Sequence, residues 1–259
     1  MRRIVLPLLA VLAGPPAAAQ VAFDHSAWDD LLRQHVADGL VDYDAFRDAP
    51  SFQAYLRSLD RARPEALPEP ERLAFWINVY NAFTIELVNR HGERESIRNI
   101  NRTLGLALKG PWREEIVRAG GGRYHLDHVE HEIVRQQFAE PRIHFALVCA
   151  ARSCPTLRGE AYTGARLDEQ LEDQARRFLR ERPGLNHVDP ATRSVRLSPI
   201  VGDWYRRDFG PDDAALGRFL ARYWPAGPER ELLLSGRFRV TTSDYDWTLN
   251  SRAKGPLPR

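Results

Sequence analysis

The stretch from Pro70 to Arg90 restricts the fold more than any other part of the chain. Its apolar residues, Leu73, Trp76, Ile77, Val79, Tyr80, Phe83, Ile85, Leu87 and Val88, recur at helical spacing and cover most of the circumference of a wheel. A helix apolar nearly all round cannot lie on a surface, so the rest of the chain has to wrap it. Asn81 falls inside that arc, between Ile77, Thr84 and Val88. A buried amide left without partners costs about 1–3 kcal/mol. Asn78 and Asn81 must therefore clamp loop backbone, or else hold a substrate amide or orient a catalytic histidine.

Amphipathic helices are expected over 23–37, with Asp24 or Ser26 as the cap, and over 52–59, 161–179 and 212–223. Residues 188–197 read as a hairpin and 238–242 as a short strand. Gly120-Gly121-Gly122 lacks the strand-to-helix spacing of a phosphate loop and reads as a hairpin or linker. Together these patterns describe a mixed α/β or α+β chain.

Two stretches collect chemically versatile side chains. Over 124–138 a helix is expected, with Asp127 as its cap and Glu130 three residues on, the spacing of a capping box. Glu130 also points into the apolar arc, where a carboxylate could orient a histidine or move a proton. His131 lies off that arc. In the first half of 141–155 the pattern predicts a strand buried on both faces, with Ile143, Phe145, Leu147 and Cys149 on one side and His144, Ala146 and Val148 on the other. A turn at 150–153 then leads to Cys154. His125, His128, His131 and His144, four of the eight histidines, fall in these two stretches.

The beginning of the sequence reads differently. Arg2 and Arg3 precede an apolar run, 4–13, and then the small residues Ala17-Ala18-Ala19. That is the pattern of a secretory leader, cut after Ala19, which implies a periplasmic or secreted protein with no stable membrane insertion after cleavage. The two arginines leave with it, taking 37 basic residues to 35 against 35 acidic ones. A neutral chain gives no electrostatic footing for a nucleic-acid partner. In an oxidising compartment Cys149 and Cys154 have three readings: a disulfide, a reactive thiol beside a second buried cysteine, or a metal site shared with His128, His131 and His144. The last is ranked lowest, because no H-E-x-x-H pattern is present, and no metal or cofactor is assigned.

Five blocks resemble one family: AFWINVYNAFTIELV (74–88), HLDHVEHEIVR (125–135), PRIHFALVCAARSCPTL (141–157), LSPIVGDWYRRDFG (197–210) and YDWTLN (245–250). They are similar to the domain of unknown function 547 family, over about 23–250, within one domain expected to run from 20 to 259. The resemblance implies an α+β fold: a helix-rich domain with a small, mainly antiparallel sheet, similar to papain-like or transglutaminase-like thiol hydrolases. It implies a thiol-dependent hydrolase or acyltransferase on peptide-like substrates, or a non-catalytic module that binds a peptide, small molecule or small thiol. On the hydrolase reading Cys154 is the nucleophile, His144 or His131 the base and Glu130 the orienting carboxylate. Asn78, Asn81, Tyr80 and Trp247 are the substrate contacts. Both histidines precede Cys154, whereas the usual order places the cysteine first. Trp204, Tyr205, Tyr245 and Trp247 itself read as core and corner residues before ligand platforms.

Overall fold

The computed structural model describes residues 22–103, 106–107 and 110–257, so the leader expected over 1–19 lies outside the described residues. The chain begins with helices α1 (Ser26–His35), α2 (Tyr43–Asp48) and α3 (Pro50–Asp60). Asp42 starts α2 by accepting the Ala45 N–H at 3.1 Å, and α3 starts on Pro50, whose missing N–H is no loss in a first turn. Trp28 stacks on Tyr55 with ring centroids 5.5 Å apart, which fixes α1 against α3. Neither Asp24 nor Ser26 caps α1: its N-cap is His25, with no side-chain bond, and Asp24 instead accepts the Ser26 N–H.

Helix α4 (Glu69–Arg90) follows, with Pro70 in its first turn and Glu69 and Glu71 at its positive end. Every residue from Leu73 to Ile85 is buried, as an all-round apolar helix requires. Next comes a hairpin of β1 (Val117–Ala119) and β2 (Gly122–Tyr124). Gly120 and Gly121 turn it with φ of +60° and +74°, a conformation that residues with a Cβ rarely adopt. Residues 126–137 form one helix, α5, whose middle, Val129–Val134, is wound as a π-helix. Helix α6 (Leu167–Arg180) packs Leu171, Gln174, Ala175 and Phe178 inward. Strands β3 (His187–Asp189) and β4 (Ser194–Leu197) pair antiparallel. After α7 (Asp213–Ala221) and α8 (Pro228–Ser235), β5 (Arg239–Thr242) joins β4 in parallel, with Val195 opposite Val240. The architecture is α+β: helix-rich, with small sheets built mostly from antiparallel pairs. No described helix is long and apolar enough to cross a membrane.

One apolar cluster surrounds α4; a second joins α6, α7 and the three-stranded sheet. The segment 141–149 lies between them, and it is not the strand its pattern predicts. Pro141–Phe145 forms a 3₁₀ turn capped by Glu140, whose carboxylate accepts the Arg142 N–H. The following residues have no strand neighbour, and α4 supplies the partners instead. Asn81 donates to the Ala146 carbonyl at 2.9 Å and accepts the Val148 N–H at 2.9 Å. Three residues earlier, Asn78 does the same for Tyr162, at 2.8 and 3.0 Å. Both amides thus mimic a sheet edge. Their burial has a structural cause, and neither side chain lines the cleft described below.

Replacing Asn81 by Ala strands a buried carbonyl and a buried N–H together. Asn81→Ala is expected to lower unfolding stability by about 1–3 kcal/mol, read as a lower urea midpoint at unchanged slope. A loss smaller than about 0.5 kcal/mol, the range of an ordinary surface change, would show that the clamp carries little.

Candidate functional site

A cavity of about 210 Å³ opens where α5, the 141–154 segment and the carboxyl-terminal 245–247 segment meet. It is lined by Cys149, Cys154, His131, His144 and Glu130, with Tyr80 and Leu147 below and the rings of Trp112, Trp204, Tyr205, Tyr245 and Trp247 around it. Both expected histidines, the expected carboxylate and both sulfurs therefore share one cleft, although Asp127 and Glu130 do not form the capping box. His125 caps α5 instead, its Nδ1 accepting the His128 N–H at 2.9 Å. Asp127 pairs with Arg113 at 3.1 Å. His128 stacks on Tyr124 and is absent from the lining.

Two π-helical turns deliver much of the lining. Val129–Val134 carries Glu130 and His131, and Ile200–Trp204 carries Ile200 and Trp204. A π turn inserts one residue into the ladder and re-aims the side chains after it, which is why such turns recur at functional sites.

The two cysteines are joined as a disulfide with Cα atoms 6.1 Å apart. Cys154, the expected nucleophile, is the buried partner at 2% exposure, whereas Cys149 is half-buried. In this state neither sulfur is a thiolate, so a nucleophilic role for Cys154 has no support in the oxidised protein. The loop between them is held from outside. Arg152 and Ser153 donate backbone N–H groups to Thr248 and Asp246 at 2.8 and 3.1 Å, and the Asn250 N–H reaches the Ala150 carbonyl at 3.0 Å. Ala150 sits at φ +64°, the left-handed turn that folds Cys154 back toward Cys149. Arg182, 7% exposed, grips the Cys154 and Arg152 carbonyls at 2.6 Å each. The Cys149 N–H donates to Cys154 Sγ at 3.0 Å, and the Tyr245 hydroxyl stands 3.1 Å from Cys154 Sγ and 3.3 Å from Cys149 Sγ. Burial pushes the Tyr245 phenol well above its ordinary range, so it remains a donor.

The orienting carboxylate of His144 is Asp208, not Glu130. His144 Nε2 lies 2.7 Å from Asp208 Oδ2, and the imidazole stacks on Tyr205 with centroids 3.9 Å apart. Arg135 binds both Asp208 oxygens, at 2.8 Å each. The hydrogen bond from His144 and then that from Arg135 hold Asp208 far below the usual carboxylate range. Arg135 also donates to His131 Nδ1 at 3.0 Å, which fixes the proton of a neutral His131 on Nε2. Glu130 takes the Tyr205 hydroxyl at 2.5 Å. Burial and then the Glu130 charge push the Tyr205 and Tyr80 phenols up. Asp208, Arg135, Tyr205 and Tyr245 escape functional assignment from sequence. Their only signal is membership of the blocks 197–210, 125–135 and 245–250, which says nothing about pairing.

Asp208 has a definite pH signature. Asp208 has a folded-state pKa below its unfolded value, so it contributes stability that is fully present above roughly pH 4 and is lost as pH falls through the folded value. Asp208→Asn is expected to cost about 1.5–3 kcal/mol at pH 7, because Arg135 and His144 lose an ionised partner. The difference from wild type should shrink below roughly pH 4. Urea unfolding across pH 2.5–7, expressed through about those limits, measures both; a difference independent of pH would contradict the assignment.

No curated protein and no solved structure matches the chain, so the expected likeness to papain-like folds has no structural neighbour behind it. A family model does match, over residues 64–179, and its description is protein of unknown function, DUF547. The matched span holds α4, α5, both clamping asparagines, both cysteines, His131, His144 and Glu130; Tyr205, Asp208, Tyr245 and Trp247 lie past it. Over that span, which carries the central helix and the cysteine loop together, the chain matches the DUF547 family.

Proposed function

We propose that the cleft is a binding site for a short peptide or small molecule carrying an apolar or aromatic group, and that the protein works in the periplasm or outside the cell. The observation that supports this reading is the aromatic wall. Trp247 stands among three other rings, 5.9 Å from Trp112, 5.7 Å from Trp204 and 4.5 Å from Tyr245. Large rings of this kind give contact area at low conformational cost. Opposite them, His131, His144 and Glu130 offer polar partners, the combination expected of small-ligand sites. The oxidised cysteine pair agrees with export, since such bonds persist mainly in oxidising compartments, and the leader-like residues 1–19 agree with it independently. We take 20–259 as one domain, because Tyr245 packs against both apolar clusters.

One observation favours a second reading, thiol-dependent acyl transfer or hydrolysis. His144, which would be the base, lines the same cleft as the sulfurs and is held from behind by the Asp208 carboxylate. Such a role requires reduction first, because a disulfide sulfur has no thiolate to offer an acyl carbon. Hydrolysis of a thioester or activated amide should then appear only with reductant and vanish in Cys149→Ala or Cys154→Ala. Hydrolysis that survives both substitutions would remove this reading.

The binding reading is tested with a panel of di- and tripeptides by tryptophan fluorescence and calorimetry on the oxidised chain. Peptides with an aromatic or branched apolar residue are expected to bind, and Trp247→Ala to weaken them by roughly thirtyfold, about 2 kcal/mol for an aromatic anchor. Equal binding by Trp247→Ala, with native unfolding behaviour, would place the ligand elsewhere.

A further inference from the structure

The Cys149–Cys154 disulfide does not resemble a staple. Its loop is short, and closing a short loop restricts the unfolded chain less than closing a long one. The surrounding core is extensive, so the fold does not depend on a cross-link as a small disulfide scaffold does. The loop is already fixed by Arg182 and by the 246–250 backbone. Finally, the bond sits where the core meets the cleft: Cys154 belongs to the core cluster, and both cysteines line the cleft.

The two sulfurs also differ. Cys149 is the half-buried one; Cys154 is sealed in at 2% exposure and faces two donors, the Cys149 N–H at 3.0 Å and the Tyr245 hydroxyl at 3.1 Å. A neutral disulfide sulfur is a weak acceptor. The same donors around a thiolate make charge-assisted bonds, which are shorter and stronger. The arrangement therefore suits Cys154 as a sulfur that becomes negative, and Cys149 as the one an incoming group reaches.

We propose that the cleft carries out thiol–disulfide exchange with a thiol-bearing peptide or small molecule, Cys149 being the attacked sulfur and Cys154 the leaving one. This rests on the reading of the cleft as a peptide or small-molecule site, and it names the reacting group. An external thiolate attacks Cys149 Sγ; a sulfur–sulfur bond forms to it as the Cys149–Cys154 bond breaks, and its electron pair stays on Cys154, held by the two donors. A second external thiolate attacks the external sulfur of the mixed disulfide. It releases the external disulfide and leaves Cys149 as a thiolate that takes a proton from solvent. Two external thiols are oxidised to one disulfide, and the protein disulfide is reduced to a dithiol. Exchange favours a good leaving thiolate, and the Tyr245 hydroxyl and Cys149 N–H supply that property to Cys154.

The test uses the full chain purified without reductant. Reduced glutathione or cysteinylphenylalanine is added, aliquots are acid-quenched, and adducts are mapped by mass spectrometry. The transient adduct is expected on Cys149. With glutathione disulfide as the probe, Cys154→Ser should take the adduct rapidly and Cys149→Ser should not. Tyr245→Phe, which keeps the ring, should slow opening about tenfold. It should also move the thiolate absorbance of the reduced protein to higher pH, a titration that a purely structural role would leave in place. An adduct on Cys154, or a Tyr245→Phe protein with wild-type rate and titration, overturns the proposal.

The serine analogue of the dipeptide separates this proposal from the binding reading beneath it. If that analogue binds while the disulfide stays closed under both thiols, exchange is overturned and the binding site stands. If both thiols open the disulfide through Cys149 at one rate, and Trp247→Ala changes nothing, exchange is upheld and the aromatic binding reading falls.

Discussion

The hydrogen bonds of one side chain, Asn81, set the position of the whole cysteine loop. Helix α4 is wrapped on all sides, so any polar group on it must find a partner inside the protein. Asn81 finds two, the Ala146 carbonyl and the Val148 N–H, and the residue after Val148 is Cys149. Because the same backbone segment carries His144 two residues before Ala146, one amide ties both the imidazole and the sulfur to the central helix. Asn78 repeats the device at Tyr162 and so anchors the approach to α6. A helix without these amides would bury as much apolar surface, but it would not specify which loop lies against it. The polar pair supplies that register while the apolar arc supplies the driving force.

Glu130, which lines the cleft, and Asp208, which stands behind His144, lie in unlike surroundings. Asp208 is bound by a guanidinium and an imidazole, which favour its charged form. Glu130 is buried and bonded to a phenol, a neutral donor. Asp208 therefore works as a fixed negative charge that aligns His144 and holds Arg135 over the Tyr205 ring, 5.1 Å from its centroid. Tyr205 connects the two halves, stacking on His144 with its face and donating to Glu130 with its hydroxyl. Arg135, Asp208, His144, Tyr205 and Glu130 form one continuous chain of contacts, so a change at any of them should be felt along the wall of the cleft.

Much of this was legible in the sequence where periodicity was long and the physics local. Helix α4 declared itself through an apolar arc over some six turns of about 3.6 residues each, and the need of Asn81 for partners followed from its place on that arc. The run Gly120-Gly121-Gly122 read as a hairpin or a linker, and the structure makes it a hairpin. The segment 143–149 misled because continuous burial in a short run looks the same whether a strand neighbour or a side-chain amide satisfies the backbone. The helix Pro228–Ser235 was not expected; its few buried residues, Leu232 and Leu233, make too weak a stripe. The π turns have no compositional mark, since they differ from α-helix by one residue in the ladder. Asp208 was invisible as the partner of His144 because sixty-four positions separate them, and pairing over that distance is decided by topology.

The exported-enzyme and binding-module readings diverge at the sulfurs, and the environment of the loop weighs on that choice. A structural disulfide earns its place when the segments it joins have little else to hold them. Here Arg182 takes two loop carbonyls, and the backbone of 246–250 takes the Ala150 carbonyl and the Arg152 and Ser153 N–H groups. None of those contacts involves a sulfur, so the loop has holds that do not depend on the S–S bond. Cys149 stands half-buried in the cleft that His144 also lines, and Cys154 is buried against the Tyr245 hydroxyl. A loop that does not need its cross-link, placed where a ligand can reach it, is free to use that bond for chemistry.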